Sequence, residues 1–259
     1  MKEVIFVMIV LGLASILTPV TSAREVDKDL LIYLPLDEGE GDVTKDASGK
    51  GHDGEIHGAI WVDGKFGKAL EFAGNASSYV VVPDEDVMKG VAETSRLTMQ
   101  AWFMLLSHSD YDGIVSISSA GGAGFCAYRI MVNPGSLPFY DCGQHVDRTV
   151  GGFKFELKKW YHYSMTYDGL KATIYVDGEN VGGSSEGIKL IETSPLFLAV
   201  GESQAVHHTN GVIDEVAVYK RALTKDEIAQ TMKTGVIPLS VAPGDKLTAS
   251  WGLIKTKYE

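Results

Sequence analysis

The sequence is short of positive charge. Its 259 residues include 23 lysines and arginines against 34 aspartates and glutamates, which gives a formal net charge of -11 at pH 7. Nucleic acids and anionic membrane surfaces attract proteins of the opposite sign. The composition therefore argues against both as partners, and it is compatible with divalent cations, with neutral glycans or with solubility alone.

The sequence also lacks an apolar run long enough to cross a bilayer. The candidate run extends from Val4 to Leu17, which is shorter than the roughly 20 residues that a spanning helix needs. Lys2 precedes this run and Thr21-Ser22-Ala23 follows it, an order that is typical of a secretory signal peptide. We expect residues 1–23 to be cleaved after Ala23, which predicts a secreted, periplasmic or cell-surface protein with no membrane insertion afterwards. An uncleaved anchor is the alternative.

Cysteine is scarce, with Cys126 and Cys142 as the whole complement. Their segments, FCAYRIMV and LPFYDC, are predicted strands on either side of the turn Asn133-Pro134-Gly135. Because an exported protein meets an oxidising compartment, we expect a disulfide across this hairpin. Two free thiols are the alternative, and no neighbouring residues are of the kind that would activate a catalytic thiolate.

Alternation of apolar and polar residues, interrupted by turn dipeptides, dominates the middle of the chain. Residues 97–105, 161–167 and 171–176 alternate in this way, and Asp168-Gly169 and Asp177-Gly178 are strong hairpin turns. Further Asp-Gly pairs occur at positions 53, 63 and 112. The pattern predicts an all-β fold in which short antiparallel strands form a sandwich or jelly roll.

The segment from Gly211 to Glu227, GVIDEVAVYKRALTKDE, predicts a strand that runs into a helix. Strict alternation puts Asp214 on the same side as the neighbouring valines and Glu215 on the opposite side. A carboxylate among apolar residues is costly unless it is paired, hydrogen-bonded or bound to a cation. Asp214 is therefore a candidate metal ligand. A capping box at Thr224 and Glu227 predicts one short C-terminal helix.

Five motifs follow one another along the chain: LIYLPLDEGEGDVTKDASGKGHDGEI, FGKALEF, RLTMQAWFML, KKWYHYSMTYDGLKATIYVDG and GVIDEVAVYKRALTKDEI. Together they resemble the LamG-like jelly-roll family of the concanavalin A-like lectin/glucanase superfamily. The resemblance covers roughly Asp29 to Gly235 and implies a two-sheet antiparallel sandwich in which residues 24–237 form one domain. Residues 238–259 lie beyond it as a C-terminal extension, whose alternating apolar residues predict an added strand, with a flexible tail as the alternative.

The resemblance also implies a structural calcium ion where the first and last strands meet. It assigns the ligand role to the carboxylates of Asp37 and Asp214 and to the backbone carbonyls of Gly51 and His52. The family more usually has Asn at the position of His52, which leaves the carbonyl available and removes the basis for a side-chain role. Carboxylate and carbonyl oxygens suit calcium, whereas zinc takes His or Cys ligands at defined spacing.

Other polar residues are weaker candidates for metal binding. Asp46 and Asp53 lie in a turn-rich segment, where an aspartate usually bonds its own backbone. The adjacent pair His207-His208 has nitrogen ligands for a transition metal but no third ligand nearby in the sequence. Solvent-exposed polar residues are the simpler interpretation of that pair.

We expect a non-catalytic binding module whose partner is a glycan or an extracellular protein. The lectin-like resemblance favours a carbohydrate or glycoconjugate, although folds host many functions. Tyr111, Tyr140 and His207 lie near predicted loops and are the candidate ligand-binding residues. The tryptophans Trp61, Trp102 and Trp160 are expected in the core. A protein-binding or structural cell-surface module is the alternative.

Glycan cleavage is the third hypothesis, and the sequence gives it little support. Glycosidases generally need two carboxylates that face one sugar bond, and the glucanase relatives carry them on a strand of the form E-x-D-x-x-E. This chain has no such strand, and strict alternation would separate Asp214 from Glu215. We therefore predict no catalytic residues.

Overall fold

The computed structural model describes residues 27–108, 110–118, 126–142, 148–185, 190, 195–201 and 206–236. The predicted signal peptide at 1–23 and the C-terminal extension at 238–259 lie outside these residues, so both stay predictions, as do the domain boundaries at 24 and 237. In the ranges that the structure describes, no helix is long and apolar enough to cross a membrane.

Two antiparallel sheets make up the fold, as the alternation predicted. In chain order the elements are β1 (Leu30–Leu34), β2 (Val43–Thr44), β3 (Gly54–His57), β4 (Ile60–Asp63), β5 (Lys68–Ala73), β6 (Tyr79–Val82), α1 (Val91–Thr94), β7 (Leu97–Leu105), β8 (Asp112–Ser118), β9 (Cys126–Val132), β10 (Pro138–Cys142), β11 (Arg148–Thr149), β12 (Tyr161–Tyr167), β13 (Ala172–Val176), β14 (Glu179–Ser184), β15 (Leu196–Leu198), β16 (Asn210–Tyr219) and α2 (Lys225–Thr234).

The first sheet has the strand order β14-β13-β12-β7-β16-β5-β4, with β1 also paired to β16, and the second has the order β11-β10-β9-β8-β15-β6-β3-β2. Residues from the facing sides of both sheets form one continuous apolar core. A smaller apolar cluster lies on the other side of the first sheet, where α2 packs on β1 and β16. The sandwich predicted from the sequence is confirmed.

Local signals in the sequence locate most of the turns. Asp168-Gly169 and Asp177-Gly178 connect β12 to β13 and β13 to β14, and the capping box at Thr224 begins α2. The prediction of a turn at Asp112-Gly113 is wrong, because both residues lie inside β8. Gly113 is there because a side chain would collide with the backbone of Val200. The single-turn helix α1 was not predicted.

Strand β16 has two partners along one of its edges. Its first half pairs with β5 through Asn210–Ile213, and its second half pairs with β1 through residues 216–219. The end of β1 and the start of β5 therefore meet beside Asp214 and Glu215. On its other edge β16 pairs with β7, and the register shifts between Asp214 and Ala217. Glu215 has a φ of +54°, so this pair forms a β-bulge.

The bulge corrects the predicted assignment of side chains to faces. Val216 and Val218 belong to the main core, whereas Ala217 belongs to the cluster under α2. Asp214 lies opposite Trp102, on the side of the sheet away from the main core. The extra residue interrupts the alternation, so Asp214 and Glu215 do not point to opposite faces as predicted.

Candidate functional site

Two carboxylates meet at the junction between β1 and β5. Asp37, just after β1, accepts a hydrogen bond from the backbone N–H of Lys68 at 2.8 Å. Asp214 on β16 accepts one from the backbone N–H of Phe66 at 2.9 Å. Phe66 lies in the turn between β4 and β5, and Lys68 is the first residue of β5. A bond from Gly64 N to Gly67 O at 3.0 Å closes this turn. The structure thus brings these two predicted ligands to one turn.

The glycines of this turn permit the close approach of both carboxylates. A Cβ atom on Gly64 would lie 2.7 Å from the Oδ2 atom of Asp214, and one on Gly67 would collide with the Oδ1 atom of Asp37. Gly67 also has a φ of +58°, a conformation that favours glycine. The turn is therefore shaped to the carboxylates, and a side chain at either position would displace them.

Asp214 is the buried member of the pair. It is fully buried, and its Oδ1 atom has no hydrogen-bond partner among the described residues. Burial is the main reason why its pKa is raised to about 8, and the negative charges of Glu215 and Asp37 add to the shift. Asp37 itself is exposed. A cation at this junction would stabilise the ionised form of Asp214, which the protein alone disfavours.

Glu215 accepts hydrogen bonds from groups other than those that bond to Asp214. It accepts a hydrogen bond from the Tyr33 hydroxyl at 2.7 Å and another from the backbone N–H of Val236 at 3.0 Å. Burial and then the charge of Glu215 raise the pKa of Tyr33 far above its ordinary value. The bulge thus has one carboxylate at the β1–β5 junction and another that ties β1 to the end of α2.

The residues at the junction fit a hard divalent cation. No group of three or more His, Cys, Asp or Glu side chains that could hold a metal ion occurs within the described ranges, so an ion at this junction would need further ligands from backbone carbonyls or water. Calcium can complete its six to eight ligands with backbone carbonyls and water. The unpaired Oδ1 atom of Asp214 beside Asp37 offers the anionic oxygens that such an ion needs. When bound, calcium would neutralise both carboxylates and join the end of β1 to β16, next to the β4–β5 turn.

Gly51 and His52 belong to a second cluster, organised by Asp46. The Asp46 carboxylate accepts bonds from the backbone N–H groups of Tyr33 at 3.0 Å, Ser48 at 2.9 Å and His52 at 3.1 Å. His52 also pairs with Asp84, at 2.9 Å. Asp37 and Asp214 thus bond at the β4–β5 turn, whereas the His52 N–H bonds to Asp46. The turn-forming role that we weighed for Asp46 is the one observed. A calcium-binding role for the two carbonyls stays a prediction.

Two of the three candidate ligand-binding residues, Tyr111 and His207, lie together, and the third, Tyr140, lies in the core. The ring of Tyr111 makes edge contacts with Phe139 and with His207, each at 5.1 Å between centroids. Tyr140 is 1% exposed, so its predicted place on a binding rim is wrong. Alternation along β10 points Tyr140 into the core and Phe139 to the other side of the sheet, where Phe139 is 4% exposed and the buried Arg129 guanidinium lies 5.4 Å from its ring. Phe139 and Arg129 were missed, although that alternation was visible in the sequence.

A histidine–aspartate pair beside Tyr111 was also missed. His108 bonds to Asp112 through its Nδ1 atom, and its Nε2 atom is buried without a partner in the part of the chain described. Burial raises the pKa of Asp112 to about 6, and the bond to His108 opposes that shift. The spacing His-x-x-x-Asp was the available signal, but nothing in the sequence indicated that the pair is buried.

The predicted disulfide lies partly outside what the structure describes. Strands β9 and β10 form the expected hairpin around Asn133, whose side chain accepts bonds from Gly135 and Leu137. The ladder places Cys142 opposite Tyr128, two positions from Cys126. The side chains of both cysteines lie outside the described residues, so the bond itself stays a prediction.

Trp102 and its neighbour His162 are buried on the outer side of the first sheet. Trp102 is 6% exposed, and its ring lies 5.4 Å from that of His162. Lys65 covers the indole at 4.3 Å. The expectation of core burial is thus correct for Trp102, although the layer is not the main core. Trp61 is half-buried against the main core, and Trp160 is half-buried.

His162 makes the fold sensitive to acid. Burial lowers its pKa to about 3, below the roughly 6.5 of an unfolded chain. The unfolded state therefore binds an extra proton between these values, and stability is lost as pH falls from 6.5 towards 3. We expect His162→Phe to remove about 2–3 kcal/mol of the loss between pH 7.5 and pH 4.5, measured by urea unfolding. The same change at half-exposed His57 is the control, and an unchanged pH profile for His162→Phe would contradict this expectation.

The chain belongs to the concanavalin A-like lectin/glucanases superfamily. A laminin G-type family model with that description matches residues 73–229, which is more than half of the chain. The family resemblance inferred from the sequence motifs is confirmed by this match.

Solved structures with low sequence identity share the fold. Trypanosoma rangeli sialidase in complex with sialic acid has a TM-score of 0.63 at 17% identity, over 79% of this chain and 32% of that one. The binding domain of Paraclostridial Mosquitocidal Protein 1 has a TM-score of 0.61 at 18% identity, over 79% and 52%. The receptor binding domain of botulinum neurotoxin type G has a TM-score of 0.60 at 13% identity, over 79% and 51%.

A sequence match to a curated protein is shorter. Mouse pappalysin-1 is 35% identical over 81 residues, which are 29% of this chain and 5% of pappalysin-1. The chain therefore spans a small part of that protein and between a third and about half of the structures above.

Proposed function

We propose that the chain is a secreted, non-catalytic binding module for a carbohydrate or glycoconjugate, with a structural calcium ion at Asp37 and Asp214. The unpaired Oδ1 atom of Asp214, buried beside a second carboxylate at the junction of β1 and β5, is the observation that carries the calcium site. The signal-peptide pattern supports export. Neighbouring folds that include a toxin binding domain and a receptor binding domain support a binding role.

The aromatic cluster of Tyr111, Phe139 and His207 supports the choice of a glycan. Aromatic rings offer apolar faces to sugar rings, and polar tips at the same place can bond the hydroxyl groups. Tyr111 and His207 are half-buried, so each keeps part of its surface open. The Arg129 guanidinium beside Phe139 adds a positive charge. The cluster unites two of the three candidate residues from the sequence.

The proposal of a non-catalytic module rests on what the acidic pair of the bulge already does. Asp214 is fully buried and Glu215 is 5% exposed. Asp214 lies under the β4–β5 turn, and Glu215 bonds to Tyr33 and to Val236. A glycosidase presents its two carboxyl groups to one sugar bond, whereas these two are directed into the protein. Their arrangement supports a structural role.

Replacing Tyr111 with alanine tests the glycan site. We expect calcium-loaded protein to bind glycans on an array, and Tyr111→Ala to weaken that binding at least about tenfold, because the Tyr111 ring contacts both Phe139 and His207 and connects the cluster. Tyr79→Ala is the matched control, since Tyr79 stacks on His57 elsewhere, at 4.5 Å.

Equal binding by the wild type and Tyr111→Ala would contradict this site. An extracellular protein that the wild type captures in the presence of excess sugars, with no glycan bound on the array, would favour the alternative, a protein-binding module. Exposed apolar side chains support this alternative: Ile60 is 59% exposed and Leu170 is 76% exposed.

A further inference from the structure

Several buried polar atoms on the outer side of the first sheet have no partner within the described chain. They lie on three neighbouring strands, β12, β7 and β16, and all of their residues are at most 6% exposed. The atoms of this group are Gln100 Nε2, Trp102 Nε1, His162 Nδ1, Ser164 Oγ and Asp214 Oδ1.

The strand register places these residues side by side. Trp102 lies opposite His162 on one neighbouring strand and opposite Asp214 on the other. Gln100 lies opposite Ser164 in the next row. Directly opposed residues point to the same face of a sheet, and so do residues two apart on one strand. The five side chains therefore share one face.

This polar patch is covered on two sides. The β4–β5 turn covers one end, where Lys65 and Phe66 contact the Trp102 ring. Helix α2 covers the other end, where the Thr231 hydroxyl donates to the Gln100 Oε1 atom at 3.2 Å. The same turn bonds Asp214 and Asp37. The patch is thus an inner continuation of the candidate calcium site.

A patch of this kind needs hydrogen-bond partners from outside the chain. Buried polar groups in native proteins are almost always satisfied, and leaving several unpaired would remove much of a domain's marginal stability. The indole N–H and the amide nitrogen of Gln100 only donate, the carbonyl-type oxygen of Asp214 accepts, and the hydroxyl of Ser164 does both. Water is the small molecule that serves such a mixture, since it donates and accepts at once.

We propose that this patch binds a cluster of water molecules that extends to the calcium ion. Gln100, Trp102, His162 and Ser164 then hydrogen-bond to water molecules that remain bound to calcium. Calcium commonly keeps water among its ligands, and groups that bond to the ligands of a metal tune its affinity. The inference rests on the calcium site of the proposed function. It adds a row of residues on β7 and β12 that determine how tightly the ion is bound.

Ser164→Ala is the principal test, because it removes one hydroxyl with little change of volume. We expect the calcium dissociation constant, measured by calorimetry, to rise about tenfold, and Trp102→Phe to do the same. Ser116→Ala is the matched control. Its hydroxyl is also buried but belongs to the second sheet and donates to the Val200 carbonyl at 2.7 Å, so the calcium affinity should stay unchanged.

The outcomes separate this inference from the calcium site itself. If the wild type binds calcium and both variants bind it equally well, the water cluster is wrong and the calcium site stands. If the wild type binds no calcium, the proposed calcium site fails. The melting temperature of the calcium-free Ser164→Ala variant then tests whether water bonds to Ser164. A water-bonded hydroxyl stabilises the fold, so Ser164→Ala should then lower the melting temperature by about 2–4 °C. A higher melting temperature would show an unpaired hydroxyl and overturn the proposal.

Discussion

Replacing Glu215 with alanine is expected to lower the melting temperature by about 10 °C. The change leaves two buried donors without an acceptor, the Tyr33 hydroxyl and the Val236 N–H. Each unsatisfied buried group costs about 1–3 kcal/mol, and about 2–4 °C is lost per kcal/mol in a domain of this size. Differential scanning calorimetry measures the effect.

Tyr33→Phe provides the matched partner for this experiment. It removes the hydroxyl and keeps the ring, so it should cost less than Glu215→Ala. In the double variant the two losses should not add, because they share one hydrogen bond. Additive losses, or a Glu215→Ala protein that melts with the wild type, would show that Glu215 does not tie β1 to the end of α2.

Calcium is expected to raise the melting temperature of the wild type by about 5–10 °C relative to chelator. A ligand that binds the folded state at about 100 times its dissociation constant adds about 2.7 kcal/mol, which corresponds to that shift for a domain of this size. Asp214→Asn should abolish the effect, since the amide lacks the negative charge. Asp37→Asn should reduce it. Asp46→Asn is the control for the second cluster.

The same variant tests the electrostatics of Asp214 without metal. Its folded pKa of about 8 is above its unfolded value of roughly 3.9, so the folded state holds a proton that the unfolded state releases. The stability contributed by this group is therefore lost as pH rises from about 4 to about 8. In chelator at pH 8.5, Asp214→Asn should be at least as stable as the wild type. A less stable variant would mean that the ionised Asp214 carboxylate is already well paired. That result would contradict the expectation, because its charged neighbours Asp37 and Glu215 are both negative.

The sandwich could be predicted because its signals are local. Alternation identifies a strand such as β13, which is buried on one face and half-buried on the other, and Asp177-Gly178 after it marks a turn that only a few residue types allow. The capping box at Thr224 marks the start of α2 in the same way. Each of these features depends on residues close together in the chain, which is what a sequence displays directly.

The details of the site could not be predicted, because they depend on contacts between distant segments. The bulge at Glu215 exists where β1 and β5 meet along β16, and no glycine marks it in the sequence. The approach of the β4–β5 turn to Asp214 joins residues 148 positions apart. A resemblance to a family supplied the two carboxylates, but only the fold shows which backbone groups already bond to them.

The bulge also explains why an acidic pair serves two structural purposes at once. An extra residue in β16 lets two successive carboxylates lie on the same side of the sheet. Asp214 then faces the β4–β5 turn, while Glu215 faces Tyr33 and the end of α2. Under the proposed function, calcium bound by Asp37 and Asp214 would stabilise the junction between β1 and β16.

A crystal structure of the protein grown with calcium tests this account most directly. We predict a calcium ion at 2.3–2.6 Å from oxygens of both Asp37 and Asp214, with the Oδ1 atom of Asp214 among its ligands. A calcium-saturated crystal in which no ion contacts Asp214, or in which the ion lies instead in the loop organised by Asp46, would contradict it.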